Sequence, residues 1–254
     1  MKPISTKELK LYKKNEVNEP EEGLMLPLSK HLDELRNKVI ISLIALCITT
    51  SIGFLFSRGI VRLLTAMAPV NTVFIQIKPG EFFFTVLRIA LYFGISTALP
   101  VVLWQLASFI LPGLNKKERK IVIPILSAAP FLFCAGSVFA YYFVAPSMLN
   151  FLFGFGKNII ATSISIENFV SFTLLIMAMC GCTFLLPIVI LTLANVGIVN
   201  SKILITKWRY AILSSVILGA ILTPTPDPFN MSIVGGILIG LYFVSVGVLK
   251  IICR

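Results

Sequence analysis

Charge is scarce in this chain: 13% of its 254 residues are Asp, Glu, Lys or Arg, against 57% hydrophobic, and the mean hydropathy is +0.95. A soluble domain carries about 25% charged residues. A chain this poor in charge cannot cover a water-facing surface, so lipid must be its solvent. Histidine is scarcer still, with His31 the only one. That excludes bis-His haem ligation, an HExxH metalloprotease site and an intramembrane Ser/His pair, which argues against most enzyme classes. No GxxxxGK[ST] nucleotide loop is present. The five cysteines, Cys47, Cys134, Cys180, Cys182 and Cys253, are odd in number and form no CxxC, which argues against a disulfide framework or zinc site. Cys180-Gly-Cys182 reads as small packing residues. No metal or cofactor is expected.

What is present is a set of long apolar runs punctuated by charge. The uncharged stretches 39–57, 89–115, 121–156, 168–201, 210–226 and 228–249 each hold room for one crossing of a hydrocarbon core about 30 Å thick. The expected spans are 38–58, 85–108, 121–145, 167–195, 208–223 and 229–249. The fold class is all-α: a polytopic integral membrane protein of six transmembrane helices. Residues 1–25 read as a mobile polar tail and 26–254 as a single six-helix domain. Residues 1–24 hold five Lys and five Glu without an apolar core, so no cleavable signal is expected there. Pro224-Thr-Pro-Asp-Pro228 can only be a tight turn between the last two spans.

The basic excess, 22 Lys+Arg against 11 Asp+Glu, lies between apolar runs and so points to lipid headgroups, not nucleic acid. With the N-terminus on the cis side, the cis segments hold 17 Lys/Arg and the trans segments 5. That asymmetry predicts an N-in, C-in topology. No span has a central ionisable group, which lowers the case for a small-solute transporter, the main competing function. The specific polar chemistry is therefore expected at the cis surface. Pro100, Pro124, Pro130, Pro146 and Pro187 predict kinks. Gly236-xxx-Gly240, in line with Ser232, predicts a close helix contact, within the chain or as a dimer seam.

Two cis segments stand out. Leu28, Leu32, Leu35 and Val39 recur at helical spacing, which predicts an amphipathic interfacial helix leading into span 1. The second segment, Phe109–Lys120, joins spans 2 and 3. Together they carry His31-Leu32-x-Glu34-Leu35-Arg36 and Trp104-Gln105-x-x-x-Phe109-Ile110-x-Pro112-x-Leu114-x-x-x-Glu118-Arg119. With Phe82-Phe83-Phe84-Thr85, Phe184-x-x-Pro187 and Leu222-Thr223-Pro224-x-Pro226-Asp227, these resemble the TatC family of twin-arginine protein translocase subunits over about residues 26–250.

The resemblance implies recognition, not catalysis. TatC proteins bind the Arg-Arg signal peptides of folded precursors on the cytoplasmic or stromal face. They recruit small single-span subunits of the TatA/TatB type for export driven by the proton gradient. Guanidinium forks suit carboxylate acceptors. By motif position Glu118 is the first acceptor and Glu34 the second. Phe109, Pro112 and Leu114 would shape the loop, and Arg119 and Arg36 would orient it or contact a neighbouring copy. Leu185, Pro187 and Asp227 fall where a partner subunit would be contacted. The resemblance also implies a homo-oligomer within a hetero-oligomeric complex, in a plastid thylakoid or chloroplast membrane or a bacterial cytoplasmic membrane. One departure is that span 4 carries Leu185 where the family usually has Glu or Gln. That keeps open a TatC-like assembly factor that no longer translocates.

Overall fold

The computed structural model describes residues 28–69, 72–110, 116–154, 163–195, 206–222 and 228–252. The expected polar tail therefore lies outside the described residues, as does the Pro224–Asp227 turn. Helices dominate: α1 (Leu28–Thr65), α2 (Glu81–Ile110), α3 (Lys116–Phe139), α4 (Ala145–Gly154), α5 (Ile166–Phe184), α6 (Leu186–Asn195), α7 (Trp208–Leu222) and α8 (Pro228–Ile252). A π-helical turn, Ala140–Val144, joins α3 to α4. Five of the resulting helical stretches are long and apolar enough to cross a membrane, and α7 is a shorter apolar helix. The six-span, all-α expectation is borne out. Residues 1–37 and 38–254 form separate compact units. In the first unit the described residues 28–37 are helical, with Leu32 and Leu35 exposed.

The ends of the spans differ from expectation. α1 runs on to Thr65 and takes Arg58 and Arg62 into the helix. Arginines near a helix end can reach the headgroups along the surface, so they need not end it. The third span continues to Gly154 instead of stopping near residue 145. Its π turn has a local cause: Pro146 has no N–H to return to Tyr142, and Ala145 N–H bonds five residues back to Ala140 O. The fourth span breaks at Leu185. Pro187 cannot donate to Thr183, and Leu185 N–H bonds to Cys182 O at 3.0 Å in a tighter turn. By contrast Pro100, Pro124 and Pro130 sit inside unbroken helices.

Three pairs of helices meet at glycines. A Cβ on Gly94 of α2 would overlap Thr50 Oγ1 of α1, and one on Gly53 would stand 2.9 Å from Ala90 O. On Gly136 of α3 it would stand 2.7 Å from Cys180 O of α5, and on Gly219 of α7 3.2 Å from Gly235 of α8. Absent side chains let the backbones approach, which is how helices associate where no hydrophobic drive separates them from lipid. Gly236 and Gly240 do not make the expected contact within the chain. Both face open space, and their neighbour Gly235 makes the contact. The register of α8 against α7 turns Gly235, not Gly236, inward.

Two buried clusters fill the interior. Val61, Leu64, Ile89, Leu149, Phe169, Val170 and Leu174 join α1, α2, α4 and α5. Val144, Met148, Ile176, Cys180, Val234 and Leu238 join the π turn, α4, α5 and α8. A short strand pairing adds to the helices. Val73–Ile75 (β1) pairs in parallel with Ser163–Ser165 (β2), Phe74 opposite Ile164, tying the two trans loops together. No sequence signal pointed to it.

Candidate functional site

The cis surface is built from helix ends. α2 closes with Phe109 in its last turn, half-buried, and the Lys38 Nζ lies 5.8 Å from the centre of its ring. That is a cation–π distance. α3 opens at Lys116, so the backbone of Glu118 lies in its first turn. There the helix dipole favours an acidic residue. Arg119 and Lys120 are exposed one step further on. Trp208, Arg209 and Tyr210 at the start of α7 are also exposed, with the Arg209 guanidinium 5.8 Å from the Trp208 ring and Lys207 Nζ 6.0 Å from that of Tyr210. This is the aromatic-and-basic composition of a headgroup layer.

The expected site residues are placed as follows. Glu34 is half-buried and Arg36 exposed in the helical 28–37 segment. Phe109 lies in the last turn of α2 and Arg119 in the first turns of α3. Pro112 and Leu114 lie outside the described residues, as does the side chain of Glu118. Leu185 is the half-buried hinge between α5 and α6, and Pro187 beside it is buried. Asp227 lies outside the described residues.

The polar site that sequence reasoning missed is on the trans end. Glu81, the first residue of α2, is 3% exposed. One carboxylate oxygen accepts from Ile77 N–H at 2.7 Å and Lys78 N–H at 3.0 Å. The other accepts from the Ser165 hydroxyl and from Glu167 N–H at 3.4 Å. Ser165 is also the N-cap of α5 and accepts from Asn168 N–H. One carboxylate thus closes the start of α2 and the start of α5, and both helix dipoles favour its charge. Gly80, at φ +81°, makes the turn that aims it. Beside it Arg88 bonds Glu167 at 2.8 Å and donates to Ser171. Some of this is signalled in the sequence. Ser165-Ile-Glu-Asn168 is a helix-start pattern and Gly80-Glu81 another. What joins them is not local.

Among the described residues a single buried side-chain oxygen, Thr50 Oγ1, lacks a hydrogen-bond partner. Tyr92 donates to Ser137 at 2.9 Å, Ser147 to buried Asn230 at 2.9 Å and Tyr141 to Leu63 O at 3.0 Å. Among the described residues no cluster of His, Cys, Asp or Glu could hold a metal ion.

A bundle of apolar helices with one basic, aromatic-edged face and a tied trans end defines a multi-pass membrane protein. Residues 30–236 match the model of the Sec-independent protein translocase protein (TatC) family. The chain is 37% identical over 237 residues to the Sec-independent protein translocase protein TatC of Synechocystis sp., covering 93% of this chain and 92% of that one. It is 35% identical over 225 residues to the chloroplastic TATC of Oryza sativa subsp. japonica, covering 88% of this chain and 63% of that one. A crystal structure of the twin-arginine translocase receptor TatC superimposes with a TM-score of 0.73 at 32% identity, covering 86% of this chain and 98% of that one. The chain belongs to the TatC family. It is a non-enzymatic component of a Sec-independent protein translocase and a multi-pass protein of a plastid or bacterial membrane.

Proposed function

We propose that this chain reads the twin-arginine signal of folded precursors on its cis face and assembles single-span subunits around itself for proton-gradient-driven export. What supports the reading is two helix ends close in sequence: α2 has Phe109 in its last turn, and α3 opens at Lys116 with the Glu118 backbone in its first turn. Phe109 already holds a cation over its ring, the contact a guanidinium would make. Glu118 supplies the charge-assisted acceptor, with Glu34 as the second. Pro112 and Leu114 would shape the segment that joins the two helices, and Arg119 and Arg36 would orient it or meet a neighbouring copy in a homo-oligomer. Leu185, at the break before Pro187, and Asp227 would meet the TatA/TatB-type partners. Residues 1–25 would act as a polar tail on a single membrane domain.

The test is binding of an Arg-Arg signal peptide to the purified protein. Glu118→Ala should weaken it about ten-fold or more, the scale of a hydrogen bond to a charged group, with unchanged thermal stability. Equal binding of Arg-Arg and Lys-Lys signals by the native chain would sink the reading.

A further inference from the structure

A groove of about 430 Å³ runs between α2 and α3 and opens to the membrane. Pro100, Leu103 and Trp104 form one wall, and Leu126, Pro130 and Phe131 the other. Each wall has a proline, which cannot bond to the carbonyl four residues back. Trp104 and Phe131 are 59% and 77% exposed. The volume falls within the ~300–1,000 Å³ of small-molecule sites.

Three hydroxyls line the groove, yet all are spent on their own helices. Ser96 donates to Tyr92 O at 2.8 Å, Ser127 to Pro124 O at 2.8 Å, and Thr97 to Phe93 O. The wall therefore offers a ligand little but hydrocarbon. From Ile123 to Cys134, both lining it, α3 rises about 16 Å. That is the depth of one leaflet of a core about 30 Å thick. One turn cis of Ile123, on the same face of α3, stands the exposed Lys120, beside the exposed Arg119. The segment 116–120 holds four cations against Glu118 alone.

We propose that this groove is a binding site for an anionic glycerophospholipid of the cis leaflet. One acyl chain lies between α2 and α3, and the phosphate sits against Lys120. Charge selects this occupant. The charge at that end of the groove is that of the exposed Lys120 and Arg119. An anionic head is attracted there by about five-fold per Lys or Arg near the surface.

The chain has two tryptophans, Trp104 and Trp208, so Trp208→Phe leaves Trp104 as the only tryptophan, excited selectively over the tyrosines in the full-length protein. This variant is placed in bilayers in which phosphatidylglycerol with a brominated acyl chain is titrated, and separately phosphatidylcholine with the same chain. Quenching of Trp104 should reach half its extent at about a five-fold lower mole fraction of the anionic lipid. Lys120→Gln should remove that preference, and Ser127→Phe, which fills the groove, should reduce quenching by both lipids. Coincident curves for the two headgroups overturn the proposal, as does a preference that survives Lys120→Gln. Photocrosslinking from position 131 to a single-span protein helix, with no lipid preference at Trp104, would assign the groove to a protein instead.

Discussion

The two ends of the helices are built on different principles. The trans end is held by a buried carboxylate with four donors, a two-stranded pairing and the Arg88–Glu167 bridge. The cis end presents exposed charge and aromatic faces, Arg119, Lys120, Trp208, Arg209 and Tyr210, at the starts of α3 and α7. Polar groups that satisfy one another lend rigidity, and polar groups that face outward remain available to a ligand. The contrast assigns holding the fold to the trans end and is in keeping with the recognition proposed for the cis end. It also revises the expectation that specific polar chemistry would lie at the cis surface alone.

The hardest test of this contrast is Glu81→Ala, which strands four donors at the start of two helices. Among single substitutions at either end it should produce the largest loss of thermal stability, read as a lower unfolding temperature in detergent. Glu118→Ala should leave that temperature unchanged. If Glu81→Ala is as stable as the native chain, the trans end is not the anchor.

Next in size is Gly136→Ala. Its new methyl would meet Cys180 O at 2.7 Å, and overpacking of this kind costs about 1–3 kcal/mol. An unfolding midpoint measured in mixed micelles checks it. Arg88→Met should lose about 1 kcal/mol or less, because Arg88 is 49% exposed and such bridges are screened. The loss should shrink further in high salt. The smallest effect is expected at Gly236→Ala, where nothing lies within 4 Å and alanine favours the helix. A clear destabilisation there would mean that α8 packs against something not seen in a single chain.

Much of this architecture was legible in the amino-acid order, and the misses have a common cause. The spans could be counted because each must satisfy its backbone within one apolar segment. The π turn and the break at Leu185 were foreshadowed by Pro146 and Pro187, while Pro100, Pro124 and Pro130 carried the same signal without a break. Neighbouring helices decide which of these outcomes a proline meets. The end of α2 and the start of α3 were legible as a motif, since Trp104 to Glu118 is one continuous stretch. β1 and β2 are three residues each, too short for any periodicity to reveal.

The sequence by itself therefore determined the class of protein, the number of crossings and the sorting of Lys and Arg to one face. Those depend on the free energy of placing single residues in lipid, headgroup or water, which is local and adds along the chain. The tertiary structure alone decided that Glu81 meets Ser165, 84 positions away, that Gly235 and not Gly236 turns inward, and that a groove opens between α2 and α3. Those depend on which helices become neighbours and in what register. Lipid is indifferent to that choice, so close packing and hydrogen bonding between distant residues must make it.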